Sequence, residues 1–377
     1  MILHYKLVQG KTAFIIIPFN KPITTTEAIE SAYKTIIEKL QQDGLQIVHE
    51  RIFGSLTVKD EAMQVRNNML TAAGIACDGA VSYLSGTPPW GEGIAGINIQ
   101  AINPTMTDNG IETIYNAGIA VGNTWSWAND KFLLLQNITG QHDISPGAQT
   151  AAAIQTALKL LQTNEMNFGN VSRTWFYLAN VLEWYDEFNV IRNDLYKKFG
   201  IMPSPEQSNL MLPASTGIDC HNSANSALML SLLAIDDKDQ SLKITQLSNQ
   251  GQQDAFCYGS AFSRAATIAT KDHTWLQLSG TASIDETGAT VYLDDIEKQI
   301  NCTLDKISVL LEQADAKLED LCAASVFVKK AEYIEVYQKI IKERNMENFP
   351  AVCMVADVCR NDLLFEIDAE GLIDEQQ

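Results

Sequence analysis

One carboxylate in the chain interrupts an apolar run, and that setting suits acid catalysis. Glu366 lies in the run 363–367, whose other members are all apolar. A carboxyl group in apolar surroundings has a raised pKa and can carry a proton near neutral pH, as a general acid requires. Strict alternation along a strand would instead turn Glu366 to solvent, with Asp368 on the same face. The residues alone leave both interpretations open.

Two arginines stand in otherwise uncharged segments and could bind a substrate carboxylate. Arg173 lies in the aromatic strand 172–178, and Arg264 lies among small residues in 262–266. A guanidinium group can bind both oxygens of a carboxylate at once. Each arginine could equally form an ordinary ion pair with one of the surplus acids. Tyr258, just before Arg264, could donate a hydrogen bond to the substrate or serve only in packing.

Two small polar turns could offer backbone N–H groups and hydroxyls to an anion. The first contains Ser215, Thr216 and Gly217, and the second contains Gly280. Both could also be plain loops. They are candidate binding positions beside the arginines.

The cysteines predict neither a nucleophile nor a metal centre. All seven are scattered without CxxC spacing, and the pair Cys220-His221 lacks partners at metal-ligand spacing. Free cysteines on strands, such as Cys353 and Cys359, usually behave as small buried apolar residues. We predict no metal, and reduced thiols in a cytoplasmic protein.

The charge of the chain excludes several classes of partner. It has 46 acidic residues against 27 Lys and Arg, a formal charge of -19. Such a field repels phosphate backbones and anionic lipid, so we expect no nucleic acid and no membrane partner. No apolar run approaches the roughly 20 residues of a membrane span, and the start lacks a signal-peptide layout. A small anionic metabolite would need a locally basic pocket.

The order of elements repeats along the 377 residues. Two stretches, beginning near Phe132 and Trp275, each read as strand, helix, strand, helix and final strands, and each has an X-Pro-Ala junction, at Pro213 and Pro350. A weaker third copy occupies the first ~125 residues. The pattern predicts an α+β fold of β-α-β-α-β-β modules, with helices packed on one face of mixed sheets. The predicted domains are 1–128, 129–245 and 246–377.

Several segments resemble the chorismatases, a branch of the RidA (YjgF) superfamily. The closing stretch, from the Pro-Ala junction at Pro350 to the acidic run around Glu366, resembles the end of RidA-family proteins. The segments that resemble the chorismatase branch are 89–96, 173–178, 212–218, 261–265 and 356–360. They are specific as a set, in their order and spacing.

The resemblance implies a fold, a reaction and a site. It implies tandem chorismate-mutase-like modules with sites in the clefts between them. It also implies hydrolysis of the enol ether of chorismate to pyruvate and a cyclohexadiene or hydroxybenzoate, without a metal or organic cofactor. Glu366 would be the general acid, with Arg264 and Arg173 holding the substrate carboxylates. RidA-like proteins are usually trimers, so the chain could be a homotrimer or a monomeric pseudo-trimer.

Departures from the family pattern leave the substrate and product open. The segment 255–260 is shorter than the Pro/Tyr/Gly-rich stretch of chorismatases, and Val355 aligns with a product-determining position without matching its usual residues. Imine deaminases of the superfamily carry an arginine directly after the Pro-Ala junction, where this chain has Ser215 and Val352. Hydrolysis of 2-imino acids is therefore the second hypothesis. A non-catalytic metabolite-binding protein of the same fold is the third.

Overall fold

The architecture comes from a computed structural model. It describes residues 2–141, 144–202, 212–238, 242–247, 259–270, 273–285 and 287–374. Within these residues the chain forms three units, each a mixed sheet carrying two helices. The predicted α+β fold of tandem modules is confirmed, including the weaker N-terminal copy.

The N-terminal unit is a five-stranded sheet of order β1-β2-β5-β3-β4. Its elements are β1 (His4–Val8), β2 (Thr12–Pro18), α1 (Thr25–Asp43), β3 (Gln46–Gly54), α2 (Lys59–Ala72), β4 (Ser82–Ser85) and β5 (Ile94–Ile102). Thr24 caps α1, because its side chain accepts from the backbone N–H of Glu27. Gly44 ends the helix in a left-handed conformation at φ 62°, which glycine adopts without strain.

The central unit is a six-stranded sheet of order β10-β9-β11-β8-β7-β6. Its elements are β6 (Ile111–Asn116), β7 (Ile119–Trp127), β8 (Asp130–Thr139), α3 (Pro146–Thr163), β9 (Val171–Leu178), α4 (Val181–Lys198), β10 (Ala214–Asp219) and β11 (Leu228–Asp236). Ser145 caps α3 and Pro146 occupies its first turn, where a missing N–H costs nothing.

The C-terminal unit repeats this plan in the order β12-β13-β14-β17-β15-β16. Its elements are β12 (Lys243–Leu247), β13 (Ala265–Ala269), β14 (His273–Ala282), α5 (Ile296–Gln313), β15 (Leu321–Val328), α6 (Tyr333–Glu343), β16 (Ala351–Val355) and β17 (Phe365–Asp374). In both repeats the strand after the Pro-Ala junction pairs parallel with the strand two elements earlier.

The sheets divide the chain at other points than the predicted domain limits. Strands β6 and β7 belong to the central sheet, so the first division lies between residues 102 and 111 and not at 128. Ala128 and Asn129 form the two-residue turn between β7 and β8, with φ of 49° and 76°. The predicted domain boundary at residue 128 is therefore wrong, because a hairpin turn within one sheet lies there. The second predicted limit, at 245, falls inside β12.

Each sheet buries one face under its own helices and the other face against the other two units. One apolar cluster draws large side chains from all three sheets, among them Phe14, Phe132, Trp175, Trp275 and Phe327. The sheets therefore surround a shared core, and the helices lie outside it. This arrangement is a trimer-like ring built from a single chain.

The ring closes through one edge strand of each unit. Ser85, at the end of β4, donates its N–H to the His221 carbonyl of the central unit at 3.3 Å. Ala214 of β10 bridges to Ser263 of the C-terminal unit. Val355 of β16 bridges to Thr87 of the N-terminal unit. Each bridge marks a junction between two units, and a cleft can form beside it.

Candidate functional site

A cavity opens at the junction of the central and C-terminal units, beside the edge strand β10. Its interior is narrow, about 40 Å³, and it opens to solvent at the mouth. Its walls come from α4 and β10 on one side and from β14, β17 and the segments before β13 and β17 on the other. The lining residues are Tyr185, Arg192, Ser215, Gly217, Ser260, Phe262, Arg264, Gly280, Ala282, Ile284, Cys359, Arg360 and Glu366.

Glu366 reaches this cavity from β17. It lies opposite Phe327 of β15 and Ala282 of β14, and only 4% of it is exposed. The solvent-facing interpretation of the alternating strand is therefore excluded. Burial, and next the negative charge of Asp368, raise the pKa of Glu366 to about 8, while Arg173 and Arg264 act in the opposite direction. The carboxyl group accordingly carries a proton near neutral pH.

An irregularity in β14 makes room for the Glu366 carboxyl group. The pairing of β14 with β17 shifts register between Leu278 and Thr281, which leaves Gly280 at a bulge. A Cβ atom on Gly280 would lie 2.2 Å from Glu366 Oε1. The Glu366 carboxyl group therefore occupies the space that a side chain at position 280 would need.

Arg264 lies in the cavity wall. It is 3% exposed, and its guanidinium carbon is 5.2 Å from the centre of the Phe262 ring. Its carbonyl accepts from the backbone N–H of Ser279 at 3.0 Å, which ties it to the bulged stretch of β14. A positive charge thus lies near Glu366 in the same enclosure.

Arg192 is a second cation in the cavity, and the sequence analysis missed it. It is 2% exposed, donates from Nη2 to Asn189 Oδ1 at 2.6 Å, and lies 4.9 Å from the Phe188 ring centre. It makes no ion pair with a carboxylate among the described residues. A usable signal was present, because Arg192 stands four residues after Phe188 and three before Leu195, on the apolar stripe of α4.

Arg173 does not line the cavity. It is fully buried beneath it, where Nη2 lies 3.2 Å from Asp368 Oδ2 and donates to Thr216 Oγ1 at 2.7 Å. Thr216 in turn donates to Asp368 Oδ2 at 2.8 Å. The ordinary ion pair that the sequence left open is thus what the structure contains at Arg173. Thr216 belongs to the same buried group and not to the cavity wall.

The two segments predicted as polar turns are strand residues in the structure, in β10 and in β14, and they meet across the cleft. Ser279 Oγ accepts from the Ser215 N–H at 2.7 Å and donates to the Ser263 carbonyl at 2.5 Å. Ser215 and Gly217 line the cavity from β10, and Gly280 lines it from β14. These bonds join the central unit to the C-terminal unit at the floor of the cavity. Tyr258 lies outside the described residues.

The repeated register shows why this junction and its counterpart in the central sheet differ. Ala179 donates to the Ala227 carbonyl as Lys329 donates to the Leu364 carbonyl, so Met229 of β11 corresponds to Glu366 of β17. An apolar side chain therefore stands where the C-terminal unit has its acid.

The comparisons with known proteins agree with this fold. The family model described as Endoribonuclease L-PSP matches residues 260–372. A curated 3-hydroxybenzoate synthase from Streptomyces hygroscopicus is 26% identical over 249 residues, which cover 59% of this chain and 68% of that protein. The crystal structure of a chorismatase has 19% sequence identity and a TM-score of 0.66, and the match covers 98% of this chain and 99% of that one.

A single-module relative is also similar to part of the chain. The crystal structure of a member of the YjgF/YER057c/UK114 family from Mycobacterium tuberculosis has 21% identity and a TM-score of 0.26, and the match covers 33% of this chain and 100% of that chain.

Among the described residues, no helix is both long and apolar enough to cross a membrane.

Proposed function

We propose that the chain is a member of the chorismatase-like branch of the RidA superfamily and that it cleaves the enol ether of chorismate or a close relative, releasing pyruvate. The observation that carries the proposal is the Glu366 carboxyl group. It is buried in a cavity between two units, its pKa is raised to about 8, and cationic side chains share the cavity with it.

The chemistry begins with a proton. Glu366 donates it to the terminal methylene carbon of the enol ether, so that a C–H bond forms from the π pair and an oxocarbenium ion results. Water adds to the cationic carbon, and the proton it loses returns to Glu366. The hemiketal then breaks its bond to the ring oxygen, which takes up the hydroxyl proton. Pyruvate and the ring alcohol leave.

The cavity charges suit a dicarboxylate of this kind. Arg264 and Arg192 approach from opposite units, and Arg360 also lines the cavity. We assign Arg264 and Arg192 to the two carboxylates, because a guanidinium fork binds both oxygens of each. Ser215, Gly217 and Gly280 add backbone and hydroxyl groups at the floor. An acid that is neutral before turnover does not repel this dianion, whereas an ionised one would.

The three units in one chain make a partner subunit unnecessary at this site. Both walls of the cavity belong to the same molecule, so we propose that the chain acts as a monomeric pseudo-trimer. The six described cysteines are free thiols, which is consistent with a reducing compartment such as the cytoplasm.

The direct test measures pyruvate from chorismate. The purified protein should release pyruvate at a steady rate, and Glu366→Gln should lower kcat at least about 100-fold, since an amide cannot supply the proton. Glu297→Gln, at an exposed position on α5, is the matched control and should keep full activity. Chromatography of the ring product distinguishes a cyclohexadiene diol from 3-hydroxybenzoate. Equal pyruvate from wild type and Glu366→Gln would refute the proposal.

Imine hydrolysis is the less favoured activity. The position after the second Pro-Ala junction is Val352, which is fully buried against Gly96 of the N-terminal unit. The arginine expected for a 2-imino acid is therefore absent from both junctions. Ammonia release from enzymatically generated iminopyruvate, in place of pyruvate release from chorismate, would favour this alternative.

A further inference from the structure

Three of the acidic residues of strand β17 stand at successive alternate positions. Glu366, Asp368 and Glu370 therefore point to one face of the sheet, and each is at most 4% exposed. That face is turned towards the centre of the ring and not towards solvent. Three carboxyl groups in such a place need fixed cations or retained protons.

Two of the three carboxylates have an arginine partner from another unit. Arg51 of β3 lies 2.5 Å from Glu370, and Arg173 of β9 lies 3.2 Å from Asp368. Thr216 adds a hydrogen bond of 2.8 Å to Asp368. Asp368 thus contacts two side chains of the central unit, the Arg173 guanidinium group and the Thr216 hydroxyl. Glu366 has no ion pair closer than 4.0 Å with a described cation.

The buried cluster of Asp368, Arg173 and Thr216 lies close to the Glu366 carboxyl group. The position of a Cβ on Gly280 is 2.2 Å from Glu366 Oε1 and 3.5 Å from Thr216 Cγ2. Thr216, which binds Asp368, therefore lies within about 6 Å of Glu366 Oε1. Glu366 and Asp368 are therefore neighbours on the same face of β17.

We propose that Asp368, paired with Arg173 and hydrogen-bonded to Thr216, is a positioning residue that keeps Glu366 in its proton-bearing form between turnovers. The proposal deepens the function assigned above and rests on it for its kinetic meaning. The protonation state itself can be observed without any substrate.

The charges that face Glu366 come from several elements. Asp368 is on the same strand, Arg173 comes from β9, and Arg264 precedes β13. Arg192 of α4 and Arg360, in the segment before β17, line the same cavity. Cys359, from the segment before β17, is a partly buried thiol whose own pKa is raised to about 12 by desolvation, so it is uncharged.

The sign of each neighbour's effect follows from its charge. The negative charge of Asp368 favours the neutral acid at Glu366, and both arginines favour the ion. Neutralising Asp368 leaves only cations beside Glu366. Neutralising Arg173 removes one of those cations and leaves Asp368 in place. The two substitutions should therefore move the protonation of Glu366 in opposite directions.

The test is an infrared titration of the protein without substrate. The carbonyl stretch of the protonated Glu366 carboxyl group is assigned by its loss in Glu366→Gln. Asp368→Asn should lower the midpoint of this titration by at least about one pH unit, a tenfold change in the protonation constant. Arg173→Gln should raise it. The descending limb of the pH profile of kcat should move with the midpoint in each variant.

A merely structural role predicts a different result. It would lower kcat or stability in both variants and leave the titration midpoint where it is in the wild type. Unchanged midpoints, or shifts of the same sign in both variants, would overturn the proposal. If one variant fails to fold, the direction of the shift in the other still decides. If no pyruvate forms at all, the proposed function fails, but the titration still reports on Asp368.

Discussion

Gly280 offers the sharpest test of where the reacting carboxyl group lies. In Gly280→Ala the new Cβ would stand 2.2 Å from Glu366 Oε1, whereas ordinary contacts begin at 3.4 Å, so the oxygen must retreat by about 1.2 Å. The clashing atom is the end of a flexible side chain and not backbone, so the fold can absorb the change. Catalysis should not tolerate it, because a displacement of about 1 Å can lower a rate about 100-fold. That loss corresponds to a rise of about 2.7 kcal/mol in the activation free energy.

The assay compares kcat/KM for pyruvate release with the melting temperature across a graded series. Gly79→Ala introduces a Cβ with no atom within 4 Å and should match the wild type. Gly217→Ala meets the Tyr185 ring at 3.5 Å, an ordinary contact, and should have an intermediate effect. Gly280→Ala should lose about 100-fold in kcat/KM with little change in melting temperature. Wild-type activity in Gly280→Ala would refute the placement of Glu366.

Three further outcomes follow from the buried charges. The rate should fall as pH rises through about 8, since Glu366 loses its catalytic proton there, and a rate that keeps rising to higher pH would contradict this assignment. Between the ordinary pKa of 4.5 and the folded value of about 8 only the native state keeps that proton. Wild-type stability should therefore fall relative to Glu366→Gln by about 1.4 kcal/mol per pH unit, about 5 kcal/mol in all, in urea unfolding from pH 4.5 to 8; parallel curves would count against it. Arg192→Lys should raise KM roughly tenfold or more because a bidentate contact is lost, whereas Lys197→Arg on the exposed side of α4 should not; equal KM values in all three proteins would remove Arg192 from the site.

The repeated modules were predictable because each one packs two helices on one face of a mixed sheet, which requires the same pattern of apolar residues. The apolar strands that became β8 and β14 and the Pro-Ala junctions before β10 and β16 recur in order, and local periodicity is enough to indicate them. The N-terminal copy has weaker spacing signals but the same element order. The turn between β7 and β8 was harder to predict from the sequence, because Ala128-Asn129 is not a common turn pair. The predicted domain boundary therefore falls at this turn.

The site was predictable where a residue broke a local pattern. Glu366 is a charge in an apolar run, and Arg264 is a charge among small residues. Arg192 breaks the apolar stripe of α4 in the same way. Its relation to the cavity depends on the packing of α4 against the C-terminal unit.

The role of Arg173 could not be derived from spacing. Its partner Asp368 lies 195 residues away in sequence, and only the closure of the ring brings the two together. The same closure explains why Glu366 is buried although its strand alternates, because both faces of the sheet are covered. Long-range pairing of charges is the part of this structure that local patterns do not encode.

Isotope incorporation tests the central claim most directly. If Glu366 delivers a solvent-derived proton to the enol carbon of chorismate, then turnover in D2O must place one deuterium in the methyl group of pyruvate, trapped at once by reduction to lactate. The account predicts singly labelled lactate from the wild type and no product above background from Glu366→Gln. Unlabelled lactate, or the same labelled product from the variant, would contradict it.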